Sequence, residues 1–216
     1  MLKTKVKASS VTNLTDARYF AAWEVEWMGF NFDVGSESHI PAEMMKAISD
    51  WVDGVKIVGE FNLHTVDEIR AAIDLLNLDG IQVGMFTDLD ALLELRSPVP
   101  VIKEIVIEKE SSASELQHIL EAFQPQVEAF LINFDKNGIS WEDLRDSRPF
   151  SIADLQKMAE EFPLLISIDL PADILIEVVN LIPFYGLNFT GGEEEKVGLK
   201  SFDELDEIFE TLEIQQ

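Results

Sequence analysis

The stretch Val6-Lys7-Ala8-Ser9-Ser10-Val11-Thr12-Asn13-Leu14-Thr15-Asp16 opens the chain with a short strand that runs into the start of a helix. Apolar and β-branched residues predict the strand over Thr4–Ala8, and an amphipathic run predicts the helix over Asp16–Trp23. Thr15 and Asp16 can accept hydrogen bonds from the amides of the first turn, so they mark the expected helix start. The polar pair Ser9-Ser10 then falls where the first strand ends.

The same unit of a strand followed by a helix recurs along the whole chain. The predicted strands are Thr4–Ala8, Met28–Phe32, Val55–Phe61, Gly80–Val83, Val101–Val106, Ala129–Asn133, Leu164–Ile168 and Gly186–Phe189. The predicted helices are Asp16–Trp23, Pro41–Val52, Val66–Leu76, Leu89–Leu95, Ser114–Phe123, Ile152–Glu161, Ala172–Leu181 and Phe202–Leu212. Eight such units predict an α/β protein with a single (β/α)8 TIM barrel over residues 1–216.

An open, doubly wound sheet is the alternative architecture. That fold usually carries a glycine-rich phosphate turn after its first strand, and Ala8-Ser9-Ser10-Val11 is not such a turn. In a barrel, the loops after the strands build the active site at the carboxyl end. The longest of these loops, Phe134–Phe150, follows the sixth strand, so a barrel would place it at the carboxyl end where active sites are built.

The composition excludes several classes of function. Sixteen Lys and Arg against 41 Asp and Glu give a formal net charge of −25, which argues against nucleic acid and anionic membranes as partners. The absence of cysteine excludes disulfides and thiolate metal sites, and the three histidines lack metal-ligand spacing. No apolar run approaches the ~20 residues of a membrane helix. We therefore expect a cytoplasmic protein with no metal or cofactor, which binds a small molecule at the carboxyl end of the barrel.

Several motifs accompany the opening stretch in the same order and at fitting positions. They are Asp16-Ala17, Met28-Gly29-Phe30-Asn31-Phe32, Val55-Lys56-Ile57-Val58-Gly59-Glu60-Phe61, Leu78-Asp79-Gly80-Ile81-Gln82-Val83 and Val197-Gly198-Leu199-Lys200. Together they resemble the phosphoribosylanthranilate isomerase family of tryptophan biosynthesis over nearly the whole chain. The resemblance implies a TIM barrel and an Amadori rearrangement, in which an aminoaldose becomes an aminoketose.

The two catalytic positions implied by that resemblance carry different residues here. The family's catalytic base is a cysteine, and the corresponding residue is Ser9. The family's acid is an aspartate at the end of the sixth strand, and the corresponding residue is Asn133. A serine hydroxyl is a far weaker base than a thiolate near neutral pH, and an amide is not a useful proton donor. Asp135 is the candidate replacement acid, because strand alternation would place it on the same side as Asn133.

The substrate-binding positions implied by the resemblance are changed as well. Lys7 and Gln82 match family positions inside the mouth, whereas Ser36-Glu37-Ser38-His39 lacks the family's carboxylate-binding arginine. The phosphate loops correspond to Ser167–Leu170 and Thr190–Glu195. Gly191 and Gly192 could still cradle an anion, but Asp169 and Glu193–Glu195 would repel it.

Structural roles are the alternative for the same residues. Lys7 either contacts a ligand or forms a structural ion pair, with Asp169 as the suggested partner. Ser9 could satisfy backbone groups at the strand end, and Asn133 could bind the loop that follows it. Two functions remain open: a catalytically degenerate or repurposed barrel, or a divergent active isomerase with Asp135 as its acid.

Overall fold

The computed structural model describes residues 1–191, 194–196, 199–200 and 202–214. Eight parallel strands form a closed barrel in chain order, and β1 pairs with β8 to complete it. These strands are β1 (Lys5–Ser9), β2 (Trp27–Asn31), β3 (Lys56–Phe61), β4 (Gly80–Val83), β5 (Val101–Val106), β6 (Ala129–Asn133), β7 (Leu164–Ser167) and β8 (Gly186–Thr190). The predicted barrel is confirmed, and the open sheet is excluded because the sheet has no free edge.

Helices follow the strands around the outside of the barrel. They are α1 (Leu14–Ala22), α2 (Ala42–Ser49), α3 (Val66–Leu76), α4 (Leu89–Leu95), α5 (Ala113–Phe123), α6 (Trp141–Arg145), α7 (Ile152–Glu161), α8 (Ala172–Leu181) and α9 (Asp203–Leu212). Two short strands, β9 (Glu194–Lys196) and β10 (Leu199–Lys200), pair antiparallel before α9. Within the described ranges, no helix is long and apolar enough to cross a membrane.

Side-chain caps define several helix starts. Thr65 accepts from the amide of Glu68 at the start of α3, and the Glu68 side chain bonds back to Thr65, which completes a capping box. At α1 the cap is Asn13, whose side chain accepts from the amide of Asp16. The predicted start at Thr15 and Asp16 was therefore late by two residues. An asparagine two positions upstream offers the same oxygen geometry and was overlooked.

The interior of the barrel is apolar toward the amino ends of the strands and polar at their carboxyl ends. Trp27, Val58, Ile102, Leu131 and Leu165 belong to the apolar cluster that fills the lower barrel. Side chains alternate between the inside and the outside of the barrel, so the next inward residue of each strand lies two positions closer to its carboxyl end. Many of those residues are polar. The polar residues at the carboxyl ends of the strands line the open end of the barrel, which we call the mouth.

Candidate functional site

A cavity of about 850 Å³ lies at the carboxyl ends of the strands, where the polar layer begins. Its described lining combines hydroxyl and amide side chains with carboxylates from several strands and loops. Among the residues predicted from the sequence, it brings together Ser9, Gln82, Asn133 and Asp135. The cavity lies within the size range of small-molecule sites in proteins.

Lys7 lies beneath this cavity in an ion pair. Its side chain is fully buried, and its ammonium Nζ donates hydrogen bonds to Glu60 Oε1 and to Ser9 Oγ, the latter at 2.6 Å. Of the two roles left open for Lys7, the structural ion pair is present, but its partner is Glu60 on β3. The suggested partner Asp169 is exposed in the loop after β7. A buried ammonium needs an acceptor of this kind, because an unpaired charge would not be tolerated inside the barrel.

Gly29 on β2 provides the space for that pair. A Cβ at Gly29 would overlap the Glu60 carboxylate and come within 2.8 Å of Lys7 Nζ. Glu60 uses its second oxygen, Oε2, to accept from the backbone amide of Ser10 at 3.1 Å and from the Ser10 hydroxyl at 3.0 Å. The carboxylate therefore fixes both the lysine and the polar pair at the end of β1.

A continuous hydrogen-bonded chain runs from Lys7 along the wall of the mouth, from β1 through the neighbouring strands β8 and β7. Ser9 Oγ donates to Asn188 Oδ1 at 2.6 Å, and Asn188 Nδ2 donates to Ser167 Oγ at 3.2 Å. Ser167 Oγ then donates to Asp135 Oδ2 at 2.6 Å. Every donor points the same way, from the Lys7 ammonium toward the Asp135 carboxylate.

This chain determines how Ser9 is used. The hydroxyl accepts from the Lys7 ammonium and donates its proton to Asn188. An oxygen that accepts from a cation is less basic than a free hydroxyl, because its electron density is drawn toward the ammonium. The expectation that Ser9 bonds backbone groups was wrong, since both of its partners are side chains.

Asn133 belongs to a second polar cluster on the β5 and β6 side. Its amide Nδ2 donates to Glu104 Oε1 at 2.8 Å, and its Oδ1 accepts from the backbone amide of Lys136 at 3.1 Å. The Lys136 ammonium also donates to Glu104 Oε1, at 2.7 Å. The prediction that Asn133 bonds the following loop is confirmed. Its two bonds also set its amide orientation, with nitrogen toward the carboxylate.

Asp135 reaches the mouth by a different route from the predicted one. β6 ends at Asn133, and Asp135 begins a 3-10 helix over Asp135–Asn137, so strand alternation does not continue to it. The tight turn nevertheless carries its carboxylate to Ser167 and the cavity wall. In the same loop, Trp141 is buried in the core at the start of α6 and is not part of the cavity lining.

The remaining predicted ligand residues fall at the rim. Gln82 lies in the lining and is 7% exposed, and its Oε1 has no hydrogen-bond partner among the described residues. Gly191 packs against a carboxylate, since a Cβ there would lie 2.6 Å from Asp16 Oδ2. Gly192 lies outside the described residues.

His64 lies in the loop after β3 and lines the cavity. Its Nδ1 is 3.1 Å from Asp33 Oδ1, and the same oxygen accepts from the backbone amides of Asn62 and Leu63 at 3.1 and 3.0 Å. Asp33 thus joins the loops after β2 and β3. No group of His, Asp and Glu within the described ranges has the arrangement of a metal site.

Lys103 supports the rim from outside the barrel. It neighbours the inward-facing Glu104 on β5 and faces the helices, where its ammonium donates to the carbonyls of Gly84 and Thr87 at 2.6 and 2.7 Å. Burial lowers the pKa of Lys103 to about 8. This lysine therefore holds the loop after β4, whose Met85 and Phe86 are exposed.

Comparison with known proteins points to the same family as the sequence motifs. No protein-family model matches the chain. It is 27% identical over 224 residues to the N-(5'-phosphoribosyl)anthranilate isomerase of Clostridium beijerinckii, covering 95% of this chain and 96% of that protein. The resemblance to phosphoribosylanthranilate isomerase is confirmed.

Two solved isomerase structures share the fold. The phosphoribosylanthranilate isomerase of Thermotoga maritima has a TM-score of 0.77 at 19% identity, over 97% of this chain and 98% of that chain. Another phosphoribosylanthranilate isomerase was solved with reduced 1-(o-carboxyphenylamino)-1-deoxyribulose 5-phosphate, with a TM-score of 0.73 at 19% identity and the same coverage.

Sequence reasoning missed five members of the two clusters: Glu60, Glu104, Lys136, Ser167 and Asn188. A signal was present, because Glu60 and Glu104 are charged residues inside otherwise apolar strands, at inward positions of the period-two pattern. A charge at such a position needs a partner within the barrel. Ser167 and Asn188 gave no comparable signal, since short polar residues are common at strand ends.

Proposed function

We propose that this chain is a phosphoribosylanthranilate isomerase-like barrel that does not catalyse the Amadori rearrangement and binds another, non-phosphorylated small molecule at its mouth. The observation that carries this proposal is the directed chain from Lys7 through Ser9, Asn188 and Ser167 to Asp135. It engages the hydroxyl at the base position as both acceptor and donor. A group so engaged is a poor general base, because proton abstraction requires a free, basic lone pair.

The acid position supports the same proposal. Asn133 directs its amide nitrogen at Glu104 and donates one of its two amide protons to that carboxylate, and an amide is not a useful proton donor for catalysis. Gly191, the first glycine of the loop after β8, packs against the Asp16 side chain, since a Cβ there would lie 2.6 Å from Asp16 Oδ2. The net charge of −25 and the carboxylates that line the mouth disfavour a phosphate ester.

The proposal is tested by growth of a tryptophan auxotroph that lacks its own isomerase. We expect no growth without tryptophan when this chain is expressed in soluble form, and normal growth with the Clostridium beijerinckii isomerase. Growth supported by this chain would refute the loss of activity. An immunoblot of the soluble fraction checks that the protein is present, so that failure to grow reflects a lack of isomerase activity and not a lack of expression.

A divergent active isomerase is the second candidate, and one observation favours it. The carboxylates of Glu60 and Asp135 both line the cavity and lie at opposite ends of the directed chain. A pair of carboxylates can supply a base and an acid where neither serine nor asparagine can. In that case Asp135→Asn should abolish turnover, whereas Asp74→Asn, which removes the same charge from an exposed position on α3, should leave turnover unchanged.

A further inference from the structure

The mouth cavity presents far more negative than positive charge to a ligand. Its described lining includes the carboxylates of Asp33, Glu60, Glu68, Glu104 and Asp135. The cationic groups nearby are already engaged: Lys7 is buried against Glu60, and Lys136 binds Glu104. An anionic ligand would enter a field of the wrong sign, and a cationic ligand would be attracted.

The carboxylates retain acceptor capacity on the cavity side. Glu104 receives both the Asn133 amide and the Lys136 ammonium on Oε1, and none of the described residues donates to its Oε2. Asp135 accepts from Ser167 through Oδ2, and that bond comes from a neutral hydroxyl. Each group can therefore accept a further hydrogen bond from a charged donor, which is stronger than a bond between neutral groups.

Gln82 gives an independent indication that a donor belongs in the cavity. It lies on β4 with more than nine-tenths of its surface buried, and its Oε1 lacks a donor throughout the described part of the chain. Buried amide oxygens are nearly always hydrogen-bonded in folded proteins, so an unpaired one that lines a cavity points to a ligand donor.

The rest of the wall suits a ligand with several hydroxyl groups. Asn62 and Thr190 contribute neutral side chains that can both donate and accept, and the Ser10 hydroxyl, which donates to Glu60, can still accept. Such groups match the alternating donor and acceptor character of a polyol. The volume of about 850 Å³ accommodates a molecule of monosaccharide size or larger.

We propose that the mouth binds a polyhydroxylated amine, such as an amino sugar or an amino alditol. Its ammonium group binds between Asp135 and Glu104, and one of its N–H or O–H groups donates to Gln82 Oε1. This assignment rests on the proposed function, since it requires a mouth that no longer holds a phosphate ester. It specifies the ligand class that replaces the phosphorylated substrate.

Calorimetry and thermal unfolding with matched pairs of probes test the assignment on the full-length protein. The pairs are glucosamine and glucose, galactosamine and galactose, and glucamine and sorbitol, with glucose 6-phosphate as the anionic probe. We expect at least one amine to bind about ten-fold more tightly than its neutral partner, and that preference should weaken at high salt. Glucose 6-phosphate should bind more weakly than the amine.

Three results would overturn the assignment: no binding by any amine at 50 mM, equal binding within every pair, or tighter binding of glucose 6-phosphate. These outcomes are separate from growth of the auxotroph. Growth refutes the loss of isomerase activity, whereas the probe panel refutes or supports the ligand class alone.

Two variants locate the binding. Asp135→Asn should reduce the preference for the amine about ten-fold and leave the neutral partner within two-fold, with Asp74→Asn as the matched control. Gln82→Leu should weaken both members of a pair while leaving the melting temperature unchanged or higher, because it removes an unpaired buried oxygen. A purely structural role for Gln82 predicts the opposite, a fall in melting temperature with unchanged binding.

Discussion

The ion pair between Lys7 and Glu60 makes the sharpest stability prediction. Lys7 is fully buried and Glu60 is 5% exposed, so neither charge can turn to water when its partner is removed. The variant Lys7→Met deletes the ammonium and keeps a side chain of similar length. We expect it to destabilise the protein strongly, because the Glu60 carboxylate then remains charged and buried without its cation.

The size of the effect follows from the burial. Removing one member of a buried pair typically costs about 3–5 kcal/mol, which is a large part of the total stability of an ordinary domain. Glu60→Met should cost a similar amount, since it isolates Lys7. The double variant Lys7→Met/Glu60→Met should lose only about 1–2 kcal/mol, because two apolar side chains replace two desolvated charges. The residual loss reflects the Ser10 amide, which gives up its bond to Glu60.

The assay is urea denaturation followed by tryptophan fluorescence and far-ultraviolet circular dichroism. The free energy of unfolding of the wild type, the two single variants and the double variant completes a thermodynamic cycle. Strong non-additivity is the expected result, with a coupling of at least about 4 kcal/mol that follows from the magnitudes above. A loss below about 1 kcal/mol in Lys7→Met, or a double variant equal to the sum of the singles, would refute the reasoning.

Three further predictions concern the same barrel. Gly29→Ala should destabilise the protein by about 1–3 kcal/mol in urea, because its Cβ overlaps Glu60, whereas Gly35→Ala, with no atom within 4 Å of the added Cβ, should change little. Burial lowers the pKa of Lys103 to about 8, against ~10.4 in an unfolded chain, so between these values the unfolded state binds more protons and stability rises with pH. In the Lys103→Met variant, the free energy of unfolding should no longer show this rise with pH, which amounts to up to about 3 kcal/mol. If the free energy of unfolding of variant and wild type changed with pH by the same slope, the lowered pKa of Lys103 would be contradicted. Inorganic phosphate at ~10 mM should leave the melting temperature unchanged, whereas a site with a Kd of ~1 mM would add about 1.4 kcal/mol of stability and a clear upward shift.

The barrel itself could be predicted from the sequence because hydrophobic periodicity carries most of that information. β4, β5 and β6 and helices α3, α4, α7 and α8 begin and end where the pattern predicts. The one α-helix missed among the described residues is α6, which lies inside the loop predicted over Phe134–Phe150. Its five residues are too few to display a helical period, and its only local signal is the capping box between Ser140 and Asp143.

The site could be predicted in location but not in connectivity. Ser9, Asn133 and Gln82 were found because the family resemblance assigns site positions to them, and all three line the mouth. The partner of Lys7 was not, because β1 and β3 meet across the barrel interior and sequence spacing does not show which inward side chains share a layer. Asp135 was found for the wrong reason, since a 3-10 turn and not an extended strand brings it to Ser167.

The most direct test of the central claim is turnover by the purified protein. Protein from a host that lacks its own isomerase is mixed with freshly made phosphoribosylanthranilate near neutral pH, and the loss of substrate fluorescence is followed. The Clostridium beijerinckii isomerase, prepared in the same way, is the positive control. The account predicts a rate equal to that of buffer alone. Turnover above that background, abolished by Asp135→Asn but not by Asp74→Asn, would contradict it and establish an isomerase that works with carboxylates.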